Sequence, residues 1–90
     1  MNAKKELLEI LKENNKTVDN IVAIFIKYEL NYAKIIEINT IEQLDFNYND
    51  GGIQELYGYV LLDDQDWLER HDYDGSEWWE YKKYPSHLLE

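Results

Sequence analysis

Trp67-Leu68-Glu69-Arg70-His71-Asp72-Tyr73, then Asp74-Gly75, then Ser76-Glu77-Trp78-Trp79-Glu80-Tyr81-Lys82 is the stretch that decides the fold. Two runs rich in aromatic residues flank an Asp-Gly pair. A tight hairpin turn needs positive φ at both central positions, which Asp tolerates and Gly adopts freely. A two-residue turn at Asp74-Gly75 fixes the pairing. On one side Tyr73 faces Ser76, His71 faces Trp78, Glu69 faces Glu80 and Trp67 faces Lys82. On the other, Asp72 faces Glu77, Arg70 faces Trp79 and Leu68 faces Tyr81. The second side is the better core candidate, because Arg70 can stack on Trp79 and neutralise Asp72 or Glu77. The first side, with Trp67, Glu69, His71, Tyr73, Trp78 and Glu80, is then left partly open.

Working back from the hairpin, Tyr57 to Leu62 reads as a strand and Asp63-Asp64-Gln65-Asp66 as its turn. A four-residue turn puts Leu61 beside Leu68 and Tyr59 beside Arg70, which predicts Tyr59 and Leu61 in the core. Residues 21 to 28, Ile-Val-Ala-Ile-Phe-Ile-Lys-Tyr, fit a helix face and a strand face alike; shortness and β-branching favour a strand, with Val22, Ile24, Ile26 and Tyr28 on one side. Residues 32 to 38 are its hairpin partner across 29 to 31. Residues 3 to 13 carry Ala3, Leu7, Leu8, Ile10 and Leu11 at helical spacing, with Asn2 as cap and Asn14-Asn15 as terminator. Leu7, Leu8 and Leu11 are expected on the sheet. Thr40-Ile41-Glu42-Gln43 reads as a capping box opening a short helix near 41–46. Asn47 to Gly52 is a loop, Pro85 stops the last strand, and 84–90 reads as a frayed tail. The fold class is α+β: one domain over 1–90, with an N-terminal helix packed on an antiparallel sheet of about five strands that ends in a hairpin meander.

The charge is confined. The chain has a net charge of −10, and residues 45 to 81 hold eleven carboxylates and all three Trp against a single base, Arg70. Such a surface repels nucleic acid and anionic membranes and attracts basic proteins. No cysteine is present, which fits a reducing compartment and rules out thiolate sites. The first residues are charged and amphipathic, unlike a secretory leader, and the apolar run Ile21–Ile26 is far too short to span a bilayer.

Catalytic and metal motifs fail on spacing. Asp45, Asn47 and Asn49 start like a calcium loop, but Asp50 stands where glycine belongs and Leu56 where the closing Glu belongs. One strand-borne His and no Cys make a poor zinc set. Ser76 and His71 lack a nucleophile elbow and an oxyanion hole, and Gly51-Gly52 lacks the Lys and Ser/Thr of a phosphate loop. No cofactor and no metal are expected.

Asp66-Trp67-Leu68-Glu69-Arg70-His71-Asp72-Tyr73-Asp74-Gly75-Ser76-Glu77-Trp78-Trp79-Glu80-Tyr81, together with Gly51-Gly52-Ile53-Gln54-Glu55, resembles a group of small acidic proteins from phages and mobile elements of Gram-positive bacteria. The resemblance covers most of the chain and is specific only at the hairpin. It implies a protein working in the cytoplasm of a bacterial host cell, in the company of anti-CRISPR and anti-restriction proteins, many of which mimic nucleic acid. The expected function is a non-enzymatic acidic binding protein that inhibits a host defence nuclease through its basic surface. Asp63, Asp64, Asp66, Trp67, Glu69, His71, Tyr73, Asp74, Glu77, Trp78 and Glu80 form the expected partner-binding set. It binds no nucleic acid directly and no membrane, and it is a monomer or a homodimer. The alternative is an adaptor or self-associating module using the same aromatic face.

Overall fold

The computed structural model describes residues 1–30, 34–49 and 52–85. Helix α1 spans Ala3–Glu13, and the strands are β1 (Ile21–Leu30), β2 (Lys34–Ile38), β3 (Leu56–Leu62), β4 (Trp67–Tyr73) and β5 (Ser76–Lys82). All pairings are antiparallel, in the spatial order β2-β1-β3-β4-β5. The α+β expectation holds. Among the described residues no helix is long and apolar enough to cross a membrane.

Asn2 caps α1 as expected, its Oδ1 accepting from the Lys5 N–H at 2.9 Å. Ala3, Leu7 and Leu11, four residues apart, form the buried stripe. Leu8, expected beside them, is off that stripe and exposed. Phe46 and Tyr48 follow the N-terminus closely: Ala3 N–H donates to Phe46 O and Tyr48 N–H to Met1 O, each at 2.9 Å. Phe46 then stacks on Tyr28 of β1, with ring centroids 4.4 Å apart. α1 and the 44–48 segment thus cover one face of the sheet, where Ile24, Ile26, Ile38, Leu56, Val60, Leu62, Leu68 and Trp79 make the core.

The strand reading of residues 21 to 28 is correct, and β1 runs two residues further. A bulge between Ile21 and Ala23 makes Val22 the extra residue, so it is exposed instead of sharing a face with Ile24. Tyr32 and Ala33, expected in the partner strand, lie outside the described residues. The short helix near 41–46 is a single 3-10 turn, Glu42–Leu44. Half of its capping box forms, with Gln43 Oε1 accepting from the Asn39 and Thr40 N–H groups, but no side chain caps the turn in return. A second 3-10 turn at Val18–Asn20, closed by Thr17 and Asn20, was not foreseen.

The β4–β5 register matches all seven expected pairs, with φ of 50° at Asp74 and 85° at Gly75. The β3–β4 register is off by one: Val60 faces Leu68, Tyr59 faces Glu69 and Leu61 faces Trp67. The reason is the turn. Leu62 N–H donates to Asp66 O, so the loop has three residues, and Gln65 takes a positive φ of 74° to close it. A one-residue slip exchanges the two faces of a strand. Tyr59 and Leu61 therefore leave the core, and Val60 and Leu62 enter it.

Candidate functional site

The hairpin places a similar set of groups on both sides of the sheet, and only one set is covered. On the covered side Arg70 is buried between two rings, its Cζ 5.2 Å from the Tyr48 centroid and 5.1 Å from the Trp79 centroid. Its guanidinium donates to Glu6 Oε1 at 2.9 Å, to Glu77 Oε1 at 2.9 and 3.2 Å, and to Tyr48 Oη at 2.8 Å. Burial pulls the Arg70 pKa down, but Glu6, Tyr48 and Glu77 outweigh it and hold it above its ordinary value. Burial, reinforced by Glu6, pushes the Tyr48 hydroxyl well up. The second Glu77 oxygen accepts from the Glu55 N–H at 2.9 Å. Among the described residues no buried side-chain polar atom lacks a partner. This cluster ties α1, the 44–48 segment, β3, β4 and β5 together, and is structural.

Glu77, counted in the expected binding set, belongs to this cluster and is 4 % exposed. It faces away from Trp67 and Trp78. Asp66 is also committed: its carboxylate accepts from Tyr81 Oη at 2.6 Å and from the Tyr84 N–H at 2.8 Å, the latter holding the start of the expected frayed tail. Burial and that Asp66 bond raise the Tyr81 pKa. Asp63 and Asp64 sit exposed in the β3–β4 turn, Asp63 accepting from Asn20 Nδ2 and Asp64 paired with Lys16. Asp74 is exposed in the hairpin turn.

The remaining members gather on the open side: Trp67, Glu69, His71 and Tyr73 from β4, Trp78 and Glu80 from β5. Glu69 and Glu80 stand directly opposite each other, a like-charge pair that by itself costs a few tenths to ~1 kcal/mol. His71 resolves it. Its Nε2 lies 2.7 Å from Glu69 Oε2 and 2.7 Å from Glu80 Oε2, bridging the carboxylates. Trp67 Nε1–H donates to the other Glu69 oxygen at 2.8 Å, and the imidazole lies over the Trp78 ring at 6.5 Å. The Trp67 bond, then His71, holds the Glu69 carboxyl below the usual range. Lys82 Nζ approaches Glu80 at 3.8 Å.

The register extends this face beyond the hairpin. Phe25, Tyr59, Glu69 and Glu80 form one row across β1, β3, β4 and β5, and Ala23, Leu61, Trp67 and Lys82 form the next. Adjacent strands lie ~4.8 Å apart, so neighbours in a row touch. Phe25 is 60 % exposed and Tyr59 52 %. Ile35 of β2, opposite Glu29, is exposed on the same face but separated from Phe25 by the Lys27–Glu37 pair. Sequence reasoning missed these residues. Strand alternation around Ile24 and Ile26 is the signal that puts Phe25 outside, whereas Tyr59 and Leu61 were hidden by the unforeseen three-residue turn.

The arrangement can desolvate an incoming surface over its rings and pair with its cations. Among the described residues no three His, Cys, Asp or Glu are placed to hold a metal ion. Compared with known proteins, the chain matches no family model, no curated protein and no solved structure.

Proposed function

We propose that this protein is a non-enzymatic binding protein that offers the open face of its sheet to a basic protein surface. The observation that carries the reading is the exposed row of Phe25 and Tyr59 running into Glu69 and Glu80 on a face that α1 does not cover. An antiparallel sheet with one solvated face normally shows polar residues there, and a contiguous apolar strip rimmed by charge marks an interaction surface. The rings supply anchors that charge alone lacks. The carboxylates select Lys and Arg and speed encounter.

Carboxylates recur along the β4–β5 ribbon: exposed Asp63 and Asp64 at one turn, half-buried Glu69 and Glu80 midway on the open side, and exposed Asp72, on the opposite side, and Asp74 at the other end. At ~3.3 Å per residue the ribbon is about 20 Å long. That spread supports a target whose basic channel ordinarily grips phosphates. With the resemblance of the Asp66–Tyr81 stretch to phage and mobile-element proteins, the reading becomes an inhibitor of a host nucleic-acid-binding defence protein, acting in the bacterial cytoplasm. Self-association is the second reading, favoured by the exposed Phe25, Ile35, Tyr59 and Leu61.

The test is capture of partners from a bacterial lysate by the intact chain at two salt concentrations, beside the variant Tyr59→Ala/Glu69→Gln/Glu80→Gln. The expected partner is a basic protein held at low salt, released at high salt, and lost from the variant. A partner indifferent to salt and to the variant overturns the proposal. A concentration-dependent dimer in light scattering, abolished by Tyr59→Ala, replaces it with the second reading.

A further inference from the structure

β2 closes one side of the sheet, and among the described residues no strand lies outside it. The direction of its backbone follows from β1. Glu29 N–H donates at 2.8 Å to the O of Glu55, one residue before β3, so the odd-numbered residues of β1 from Ala23 on bond toward β3, and Ile26, Tyr28 and Leu30 turn toward β2. Their partners Ile38, Ile36 and Lys34 face inward, which leaves the N–H and C=O groups of Ile35 and Glu37 pointing away from the sheet. The next outward amide, that of Asn39, is already taken by Gln43 Oε1 at 2.9 Å.

Proteins normally blunt such an edge with charge, proline or a bulge. β2 has no proline, and its pairing with β1 runs without a bulge. Its two charges flank a bare centre: Lys34 stands at one end, and Glu37 faces Lys27 of β1. The centre is Ile35-Ile36. Ile35 is 60 % exposed on the open side of the sheet, and Ile36 is 36 % exposed on the covered side. An edge strand that is apolar on both faces is half of a pairing. The charge of the chain lies elsewhere. Residues 1 to 44 hold seven acids against six bases, and the acidic β4–β5 hairpin occupies the opposite end of the sheet.

We infer that β2 pairs antiparallel with β2 of a second copy of the chain, making one continuous sheet across a dimer. Such a pair has its two-fold axis normal to the sheet, so each copy keeps its faces. Centred on Glu37, the pair sets like charges opposite each other and needs the occupied Asn39 amide. Centred on Ile35, it brings only Ile35 into mutual bonding among the described residues. Centred on Ile36, Ile35 and Glu37 of each copy exchange bonds with Glu37 and Ile35 of the other, Ile36 meets Ile36, and Lys34 lies opposite Ile38, with no like charges in register. At ~4.8 Å per strand the two β4 strands stand about 34 Å apart, several times the ~8 Å Debye length, so the acidic ends scarcely repel. Both open faces look the same way, and the row from Phe25 to Glu80 stays uncovered. The dimer is therefore bivalent toward whatever that face binds.

The experiment is sedimentation of the whole chain over a concentration series up to about 1 mM, at low and high salt, with amide hydrogen exchange on the same samples. The expected result is a monomer–dimer equilibrium that high salt does not weaken. The Ile35 and Glu37 amides gain protection as the dimer fills, while the Ile36 amide, bonded to β1, is protected throughout. Two variants locate the interface. Ile35→Pro removes an N–H that the monomer leaves unbonded, and Ile36→Lys sets two cations opposite each other. Each is expected to weaken dimerisation at least about tenfold and to keep the monomer's near-ultraviolet circular dichroism. A monomer at every concentration overturns the inference and leaves the proposed function standing. A dimer that survives both variants, or that high salt dissolves, overturns it too. A dimer abolished by Tyr59→Ala and not by Ile35→Pro overturns it and places the contact on the open face, as in the second reading.

Discussion

Arg70 and His71 are neighbours in the chain, and each stands between two carboxylates and beside a Trp. Arg70 has Glu6 and Glu77 and the face of Trp79; His71 has Glu69 and Glu80 and the face of Trp78. Strand alternation sends one to each side of the sheet. The Arg70 side chain is fully buried, and the His71 side chain is 37 % exposed. Similar chemistry in a dry and in a wet setting therefore does different work. A buried charge without its partner is costly, so the Arg70 cluster behaves as one structural unit. Around His71 water screens each pair, so the cluster adds little stability and stays available to a partner.

The contrast is broken most directly at Arg70. Arg70→Met leaves Glu6 and Glu77 without their buried cation and is expected to cost about 3–5 kcal/mol in urea unfolding. A loss below ~1 kcal/mol shows that the buried cluster is no more than a surface pair in its energetics.

Gly58→Ala tests the backbone common to both faces. Gly58 has φ +127°, and a Cβ there meets the Phe25 carbonyl oxygen at 1.9 Å. The β1 and β3 backbones must separate, with an expected loss of about 2 kcal/mol or more. An unchanged melting temperature refutes that close approach.

The smallest effect belongs to the open side. His71→Ala removes the bridge between Glu69 and Glu80 and is expected to cost under ~1 kcal/mol. The pH dependence has a definite sign. The native Glu69 carboxyl titrates below its ordinary value, so its contribution is present above the ordinary Glu pKa of ~4.3 and is lost as pH falls through the lower native value. Glu69→Gln should flatten stability against pH in that acid range, by removing the small contribution present at neutral pH and leaving stability below the native value nearly unchanged. An undiminished acid slope in this variant removes Glu69 as its source.

Much of this was legible in the residues. Asp74-Gly75 encodes its turn locally, because few other residues accept two successive positive φ values, and seven pairs followed from it. The stripe Ala3, Leu7, Leu11 is helical periodicity alone. The β3–β4 turn was not legible, since Gln65 carries no mark of its positive φ, and a three-residue loop and a four-residue loop read the same. That one residue moved Tyr59 and Leu61 from the expected core to the candidate site. Glu77 was misplaced for a different reason. Its side in the hairpin was foreseen, but its burial depends on Arg70, Tyr48 and the Glu55 and Leu56 amides, which come from distant parts of the chain.

The sequence by itself determined the elements, the hairpin register and the concentration of charge and indole rings in the second half of the chain, because turn stereochemistry, periodicity and composition are local properties. Only the tertiary structure decided which carboxylates are spent inside and which face water, and which residues of β3 join the core. Those outcomes depend on which segments meet across the sheet, and a single residue in one turn is enough to exchange the faces.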